Sequence, residues 1–166
     1  MIFGKPKLPD ALSYLLLVLR GVHFLGGVVW IGTIFFLGMV ELPSMRRGRA
    51  GSFSSEYVSR LNSLLVVTSM SSVVAGVSMA LLLSGLNTGI FISTNWGLSI
   101  FLGGLVSLGA LVATFGGVLP VLERLSSEEL QASERNLALS RAQKWLNITI
   151  VLGAMVLLMM ASAGAL

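Results

Sequence analysis

The stretch GGVVWIGTIFFLGMVELPSMRR, residues 26–47, recurs as GGLVSLGALVATFGGVLPVLER at residues 103–124. Seven of the 22 paired positions are identical when Gly26 is aligned with Gly103, and both copies keep a proline with an arginine four residues later. In this alignment, which we call the repeat alignment, Gly76 also matches Gly153. The pattern predicts two tandem helical hairpins, that is, a parallel repeat about an axis along the membrane normal.

The composition predicts an integral membrane protein. Of the 166 residues, 55% are hydrophobic and 11% are charged, whereas soluble domains carry about 25% charged residues. Four segments are apolar over the roughly 20 residues that a transmembrane helix needs. They lie at about 12–42, 61–86, 96–122 and 145–166. Charged residues mixed with leucines predict an amphipathic cytoplasmic helix at about 127–144. We therefore expect one all-α domain over residues 1–166, a polytopic four-helix bundle.

The basic residues predict the orientation of this bundle. Four arginines lie between the first and second spans, and three arginines and a lysine lie between the third and fourth. The link at residues 87–95 and the C-terminal tail carry no charge. By the positive-inside rule, both basic links face the cytoplasm and both termini lie outside a plasma membrane. Lys5 and Lys7 precede the first span and favour the opposite orientation, but the two basic links together carry eight basic residues.

Several classes of function are excluded or disfavoured. The chain has no cysteine, which excludes disulfides, thiolate metal sites and iron–sulfur clusters held by this chain alone. It has no phosphate-binding loop, no serine–histidine–acid set and no paired carboxylates within the spans. The net charge of +4 fits basic loops beside an anionic membrane surface better than nucleic-acid binding.

The first span contains His23, the only histidine of the chain. Residues three, four and seven apart share a helix face, so Arg20, His23, Gly27 and Trp30 form one stripe, with Gly26 beside it. An ionisable residue within a span indicates a function by default. Neutral imidazole is a common ligand of haem iron. The stripe predicts a haem b site with His23 as axial ligand, Arg20 near a propionate, and the glycines and Trp30 beside the macrocycle.

Other interpretations of the same residues stay open. His23 could instead bond to a serine or a carbonyl of a neighbouring helix, or handle protons, and Arg20 could extend to the interface. The glycine pair recurs at Gly103 and Gly104 without a histidine, which favours close helix packing as its role. The serines of the second span are expected to bond along their own helix or to a neighbouring one.

One histidine supplies one axial ligand, so a six-coordinate haem needs a methionine, a second protomer or a neighbouring subunit. The alternative functions are copper handling through His23, Met70 and Met79, and a non-catalytic subunit of a larger membrane complex. The partners expected are the lipid bilayer and a second copy of the chain or other membrane or redox subunits, with no nucleic acid.

The spacing of His23, Trp30, Gly32 and Phe35 gives H-x6-W-x-G-x2-F, which resembles the first-helix signature of CopD-type copper-resistance membrane proteins. A related pattern occurs in HemJ-type protoporphyrinogen oxidases. The stretches YVSRLNSLLVVTSMSSVVAGVSMALLL and STNWGLSIFLGGL also resemble the CopD pattern. The resemblance implies a four-helix scaffold whose first-helix histidine is a haem b ligand. Apolar residues stand at 100 and 101, where these families have a lysine, so we expect the chain not to be an oxidase by itself.

Overall fold

The computed structural model describes residues 10–47, 53–126 and 130–165, which are almost entirely helical. The helices are α1 (Asp10–Phe36), α2 (Leu42–Arg46), α3 (Ser55–Leu83), α4 (Ile90–Ser93), α5 (Asn95–Ala113), α6 (Leu119–Leu125) and α7 (Ala132–Ala165). Two π-helical turns, Leu37–Glu41 and Thr114–Val118, join α1 to α2 and α5 to α6. Four helical segments are long and apolar enough to cross a membrane. The predicted all-α membrane bundle is therefore confirmed.

The boundaries follow local capping chemistry. Ser54 precedes α3, and its hydroxyl accepts a hydrogen bond from the Tyr57 N–H at 3.1 Å. Thr94 caps α5 in the same way by accepting from the Gly97 N–H at 3.0 Å. A side-chain oxygen at this position pairs one of the first N–H groups of the helix, which otherwise lack partners. Because of its cap, α3 begins before the predicted start of the second span.

The end of α3 and the start of α7 also differ from the prediction. α3 ends at Leu83 because Gly85 adopts a left-handed conformation, φ +60°, and the Leu86 N–H bonds back to the Leu81 carbonyl at 3.0 Å. This is the Schellman arrangement, for which glycine is favoured. The predicted amphipathic helix at 127–144 and the fourth span form one continuous helix, α7. Residues 127–129 of that prediction lie outside the described part of the chain.

The repeat predicted from the sequence is present in the structure. α1 packs mainly on α3, and α5 packs mainly on α7, so each half is a helical hairpin. The two π-helical turns begin and end at positions that the repeat alignment pairs with one another. Contacts between the hairpins also repeat. The Arg46 side chain donates to the Leu139 carbonyl at 3.1 Å, and at the equivalent positions Asn62 donates to the Glu123 carboxylate at 2.8 Å.

A proline explains the first π-helical turn. Pro43 has no N–H, and in an α-helix its ring would collide with the carbonyl four residues earlier. The Leu42 N–H bonds instead to the Leu37 carbonyl, five residues back. With the same five-residue spacing, the Gly38 carbonyl would accept from residue 43, but Pro43 has no N–H to donate. The side chain of Gln143 on α7 donates to it at 3.1 Å. The turn therefore exposes a backbone acceptor that bonds the two hairpins together.

The hydrophobic core lies near the two prolines, at the end of the bundle that we call the proline end. On the four long helices, the core residues farthest from that end are Trp30, Leu65, Ala110 and Leu146. Beyond them, toward the opposite or terminal end, the described contacts between helices involve small residues such as Gly26 and Gly76. Close approach through small residues is the usual packing mode where lipid removes the hydrophobic drive between helices.

The outward faces of the bundle are apolar. Large hydrophobic side chains are well exposed on each long helix, for example Leu17 (66%), Val67 (64%), Val112 (71%) and Leu158 (71%). A surface of this kind is stable against hydrocarbon and unstable in water. A lipid bilayer is therefore the environment of the chain.

We expect Gln143→Leu to lower the free energy of unfolding by about 1 kcal/mol, because the Gly38 carbonyl loses its side-chain donor. Thermal or denaturant unfolding in detergent, followed by circular dichroism, measures the change. Asn147→Ala is the matched control, since Asn147 is exposed and bonds only to Gln143 among the hydrogen bonds found for its side chain. Equal loss of stability in both variants would contradict the assigned role of the Gly38 carbonyl.

Two adjacent glycines of the second π-helical turn should respond differently to alanine. A Cβ at Gly117 would overlap the ring of Trp145, whereas a Cβ at Gly116 would meet nothing within 4 Å. We expect Gly117→Ala to destabilise the protein by about 1–3 kcal/mol through overpacking. We expect Gly116→Ala to change stability little. The same unfolding assay compares them, and similar melting temperatures for the two variants would contradict the contact with Trp145.

Candidate functional site

His23 lies on the side of α1 that faces α3, and its side chain is partly buried. The ring Nδ1 is 2.7 Å from the backbone carbonyl oxygen of Ser72. In return, the Ser72 hydroxyl donates to the backbone carbonyl of His23 at 2.9 Å. The same hydroxyl oxygen is 3.3 Å from Nδ1. These contacts hold the imidazole against one point of α3.

The Ser72 carbonyl determines which ring nitrogen of His23 carries the proton. A carbonyl oxygen only accepts hydrogen bonds, so Nδ1 must be the donor. In the neutral imidazole, Nε2 then keeps its lone pair. Nε2 makes no hydrogen bond within the described residues. It is also absent from the fully buried side-chain atoms that lack a partner, so it is not completely buried. Metal-ligating histidines show this arrangement, in which the second nitrogen donates to a carbonyl or carboxylate.

Gly76 provides the space for the imidazole. A Cβ at this position would lie 2.8 Å from both Cε1 and Nδ1 of His23, closer than real Cβ contacts. The ring therefore lies directly over the backbone of α3, one turn beyond Ser72. Any larger residue at position 76 would displace the ring from the Ser72 carbonyl.

The glycine pair beside His23 packs against the same helix. A Cβ on Gly26 would come within 2.7 Å of the Thr68 carbonyl oxygen, and one on Gly27 within 3.3 Å of the Ser72 hydroxyl. These positions are thus accounted for by close approach of α1 and α3, the packing interpretation of the sequence. They bring the backbones near enough for the exchange of hydrogen bonds between His23 and Ser72.

The other predicted members of the stripe lie on either side of His23. Trp30, two turns toward the proline end, is 4% exposed and belongs to the hydrophobic core, and its Nε1 has no hydrogen-bond partner among the described residues. Arg20 lies one turn toward the terminal end and is exposed. The arrangement therefore places a cation one turn from His23 on the terminal side and an indole two turns away toward the hydrophobic core.

The two methionines predicted as metal ligands lie on different faces of α3. Met70 is 41% exposed and precedes Ser72 by two residues, which places it on the opposite face from His23. The structure therefore does not bring Met70 to the imidazole. Met79 lies three residues after Gly76, on the face that His23 contacts, and it is partly buried. No group of three or more histidine, aspartate or glutamate side chains suited to a metal ion occurs within the described ranges.

The structure shows the hydrogen bond from His23 to a carbonyl of a neighbouring helix that the sequence left open as an alternative. Sequence reasoning did not single out Ser72 and Gly76 as the partners. The available signal was a stripe of small residues, Ser69, Ser72 and Gly76, spaced by three and four along α3. Such spacing marks a face that can approach another helix closely, but it does not say which residue lies opposite. The packing register of α1 against α3 supplies that information.

Comparison with known proteins found no family model that matches the chain, and no curated protein or solved structure that matches it.

With a single histidine in the chain, the tautomer can be observed directly. We expect ¹⁵N-histidine labelling and NMR in detergent to show a protonated Nδ1 and a non-protonated Nε2 in the neutral ring, because the Ser72 carbonyl requires a donor. Gly76→Ala should broaden or shift this signal by displacing the ring, whereas Gly104→Ala, at an open position, should leave it unchanged. A neutral ring protonated on Nε2 would contradict the hydrogen bond.

Proposed function

We propose that the chain is a haem b-binding, electron-transferring membrane protein or subunit, with Nε2 of His23 as an axial ligand of the iron. The single observation that carries the proposal is the hydrogen bond from Nδ1 to the Ser72 carbonyl, which leaves the lone pair of Nε2 without a hydrogen bond in the described residues. The resemblance of the first helix to CopD- and HemJ-type proteins supports the same assignment.

The donor set around His23 fits a haem better than a closed metal cage. One neutral nitrogen is available, and no second histidine or carboxylate adjoins it in the described residues. A hydrogen bond to the distal nitrogen raises the basicity of a ligating imidazole and fixes the plane of its ring. Bound haem supplies one-electron redox chemistry. The protein would hold the iron through His23 and direct the positive charge of Arg20 toward a propionate.

The surroundings of His23 indicate where such a group would lie. Neither the groove between α1 and α3 nor the groove between α6 and α7 is lined by His23. Large apolar side chains beside it on α1 are exposed, among them Val22 (41%) and Phe24 (66%). We therefore assign the haem to the outer surface of the α1–α3 hairpin, covered by a second protomer or a neighbouring membrane subunit. That partner is also the source of the sixth ligand, should the iron be six-coordinate.

The orientation belongs to this proposal. Among the described basic side chains, Arg46, Arg60, Arg124 and Arg141 lie toward the proline end and outnumber Arg20, which lies toward the terminal end. The positive-inside rule then assigns the proline end to the cytoplasm and both termini to the outside of a plasma membrane. His23 and Arg20 accordingly belong to the external half of the bilayer.

Reduced-minus-oxidised absorption spectra of the detergent-purified protein, expressed with haem supplied, test the proposal. We expect a Soret band in the wild type and its loss in His23→Ala, because the iron loses its ligand. Ile100→Ala is the matched control, since Ile100 occupies the position of His23 in the second hairpin. We expect this variant to keep the band.

Arg20→Gln should keep the Soret band but retain haem less well on dilution, because the charge beside the propionate is lost while the ligand stays. A wild-type protein that is monodisperse and yet colourless after haem supplementation would exclude the proposal. A Soret band of unchanged intensity in folded His23→Ala would exclude His23 as the ligand.

A further inference from the structure

A groove between α1 and α3 lies on the outer surface of the first hairpin, on the side of the bundle toward the proline end. It has a volume of about 550 Å³, within the range of small-molecule sites. Its walls are formed by apolar side chains of both helices. The backbone at Gly32 forms its floor, because glycine has no side chain to fill the space. The lining residues used below are Gly32, Thr33, Phe36, Tyr57, Arg60 and Leu64.

The interior of this groove suits hydrocarbon. Phe36 and Leu64 expose 47% and 43% of their surface along it. The hydroxyl of Thr33 donates to the Val29 carbonyl at 2.7 Å, so its one donor is already used within α1. A Cβ at Gly32 would meet no atom within 4 Å, which shows that the floor is open. The groove therefore offers van der Waals contact with little demand for hydrogen bonding.

The mouth of the groove is polar and charged. Arg60 lines it with its side chain 80% exposed, and it donates to the carboxylate of Glu56 at 2.7 Å. Tyr57 lies at the same level and stacks on Phe53 with ring centroids 5.5 Å apart, which holds the phenol at the mouth. One guanidinium and one carboxylate, those of Arg60 and Glu56, thus adjoin the mouth.

Charge complementarity identifies the class of ligand. A guanidinium has five N–H donors, and the bond to Glu56 uses one of them, so Arg60 can still bind a phosphate. The Glu56 carboxylate disfavours a purely anionic headgroup and favours an ammonium group beside the phosphate. An apolar groove that runs along two transmembrane helices and ends at these charges at the interface matches the shape of a phospholipid.

We propose that this groove binds a membrane phospholipid whose headgroup carries both a phosphate and a primary ammonium group. An acyl chain lies along Gly32 and Phe36, the phosphate binds Arg60, and the ammonium group binds Glu56. This site is separate from His23 and does not depend on haem binding.

The second hairpin provides an internal comparison. In the repeat alignment, the groove positions Tyr57, Arg60 and Leu64 correspond to Glu134, Leu137 and Arg141 on α7, which line a smaller groove of about 300 Å³. There Arg141 replaces an apolar wall residue, and Glu134 is paired with Arg124 at 3.6 Å. The long apolar floor with a polar mouth is therefore a feature of the first hairpin and not of the repeated scaffold.

Native mass spectrometry of the delipidated protein, titrated with dioleoyl phosphatidylethanolamine, phosphatidylcholine or phosphatidylglycerol, tests the proposal. We expect phosphatidylethanolamine to bind about tenfold more tightly than phosphatidylcholine, whose quaternary ammonium cannot donate hydrogen bonds. We also expect it to bind more tightly than phosphatidylglycerol, which lacks the ammonium group. Equal binding of all three lipids, or preference for phosphatidylglycerol, would overturn the headgroup assignment.

Variants locate the site. Gly32→Leu fills the groove and should weaken phosphatidylethanolamine binding by about tenfold or more. Gly104→Leu, the same change at another open and exposed helical position, should not. Arg60→Gln should weaken binding of all phosphate-bearing lipids, whereas Arg141→Gln should leave it unchanged. Circular dichroism and gel filtration confirm folding of each variant. Wild-type lipid binding by folded Gly32→Leu would overturn the groove as the site.

Discussion

Two prolines, which lack an N–H group, interrupt the α-helical hydrogen bonding of the first and third spans. At Pro43 and Pro120 an α-helix cannot continue without loss of a hydrogen bond and a collision with the preceding turn. Both helices respond with a π-helical turn, in which the N–H before the proline bonds five residues back. In the first hairpin this exposes the Gly38 carbonyl to Gln143. The hydrophobic core and the repeated polar contacts between hairpins gather around these turns.

At the opposite end of the bundle, packing depends on small residues. The backbone of α3 approaches α1 so closely at Gly26 and Gly76 that only glycine fits. This approach brings the His23 ring to a main-chain carbonyl, which engages Nδ1 and leaves Nε2 without a hydrogen bond in the described residues. The same feature therefore serves stability and chemistry, because the contact that packs the helices also selects the tautomer. The hydrogen bond also offsets part of the cost of holding a histidine within a span.

The two hairpins share a backbone and differ in their side chains. His23 corresponds to Ile100, and Trp30 corresponds to Ser107. Gly76 receives the imidazole of its own hairpin, whereas its equivalent Gly153 lies against Ile31 of the other hairpin, where an added Cβ would be 2.7 Å from Cδ1 of Ile31. A small residue at the same position thus accepts a polar group in one half and an apolar contact in the other. The candidate haem site and the candidate lipid groove both belong to the first half.

The sequence by itself determined the number of spans and the repeat of the hairpin. The number of spans follows from hydrophobic length, and the repeat is visible as matched residues at a constant offset. The sequence also indicated His23 as the unusual residue. Only the tertiary structure decided that Ser72 and Gly76 are its partners and that Met70 lies on the other face. The residues that bond, His23 and Ser72, are 49 positions apart, and their contact depends on the register between two helices, which no local pattern specifies.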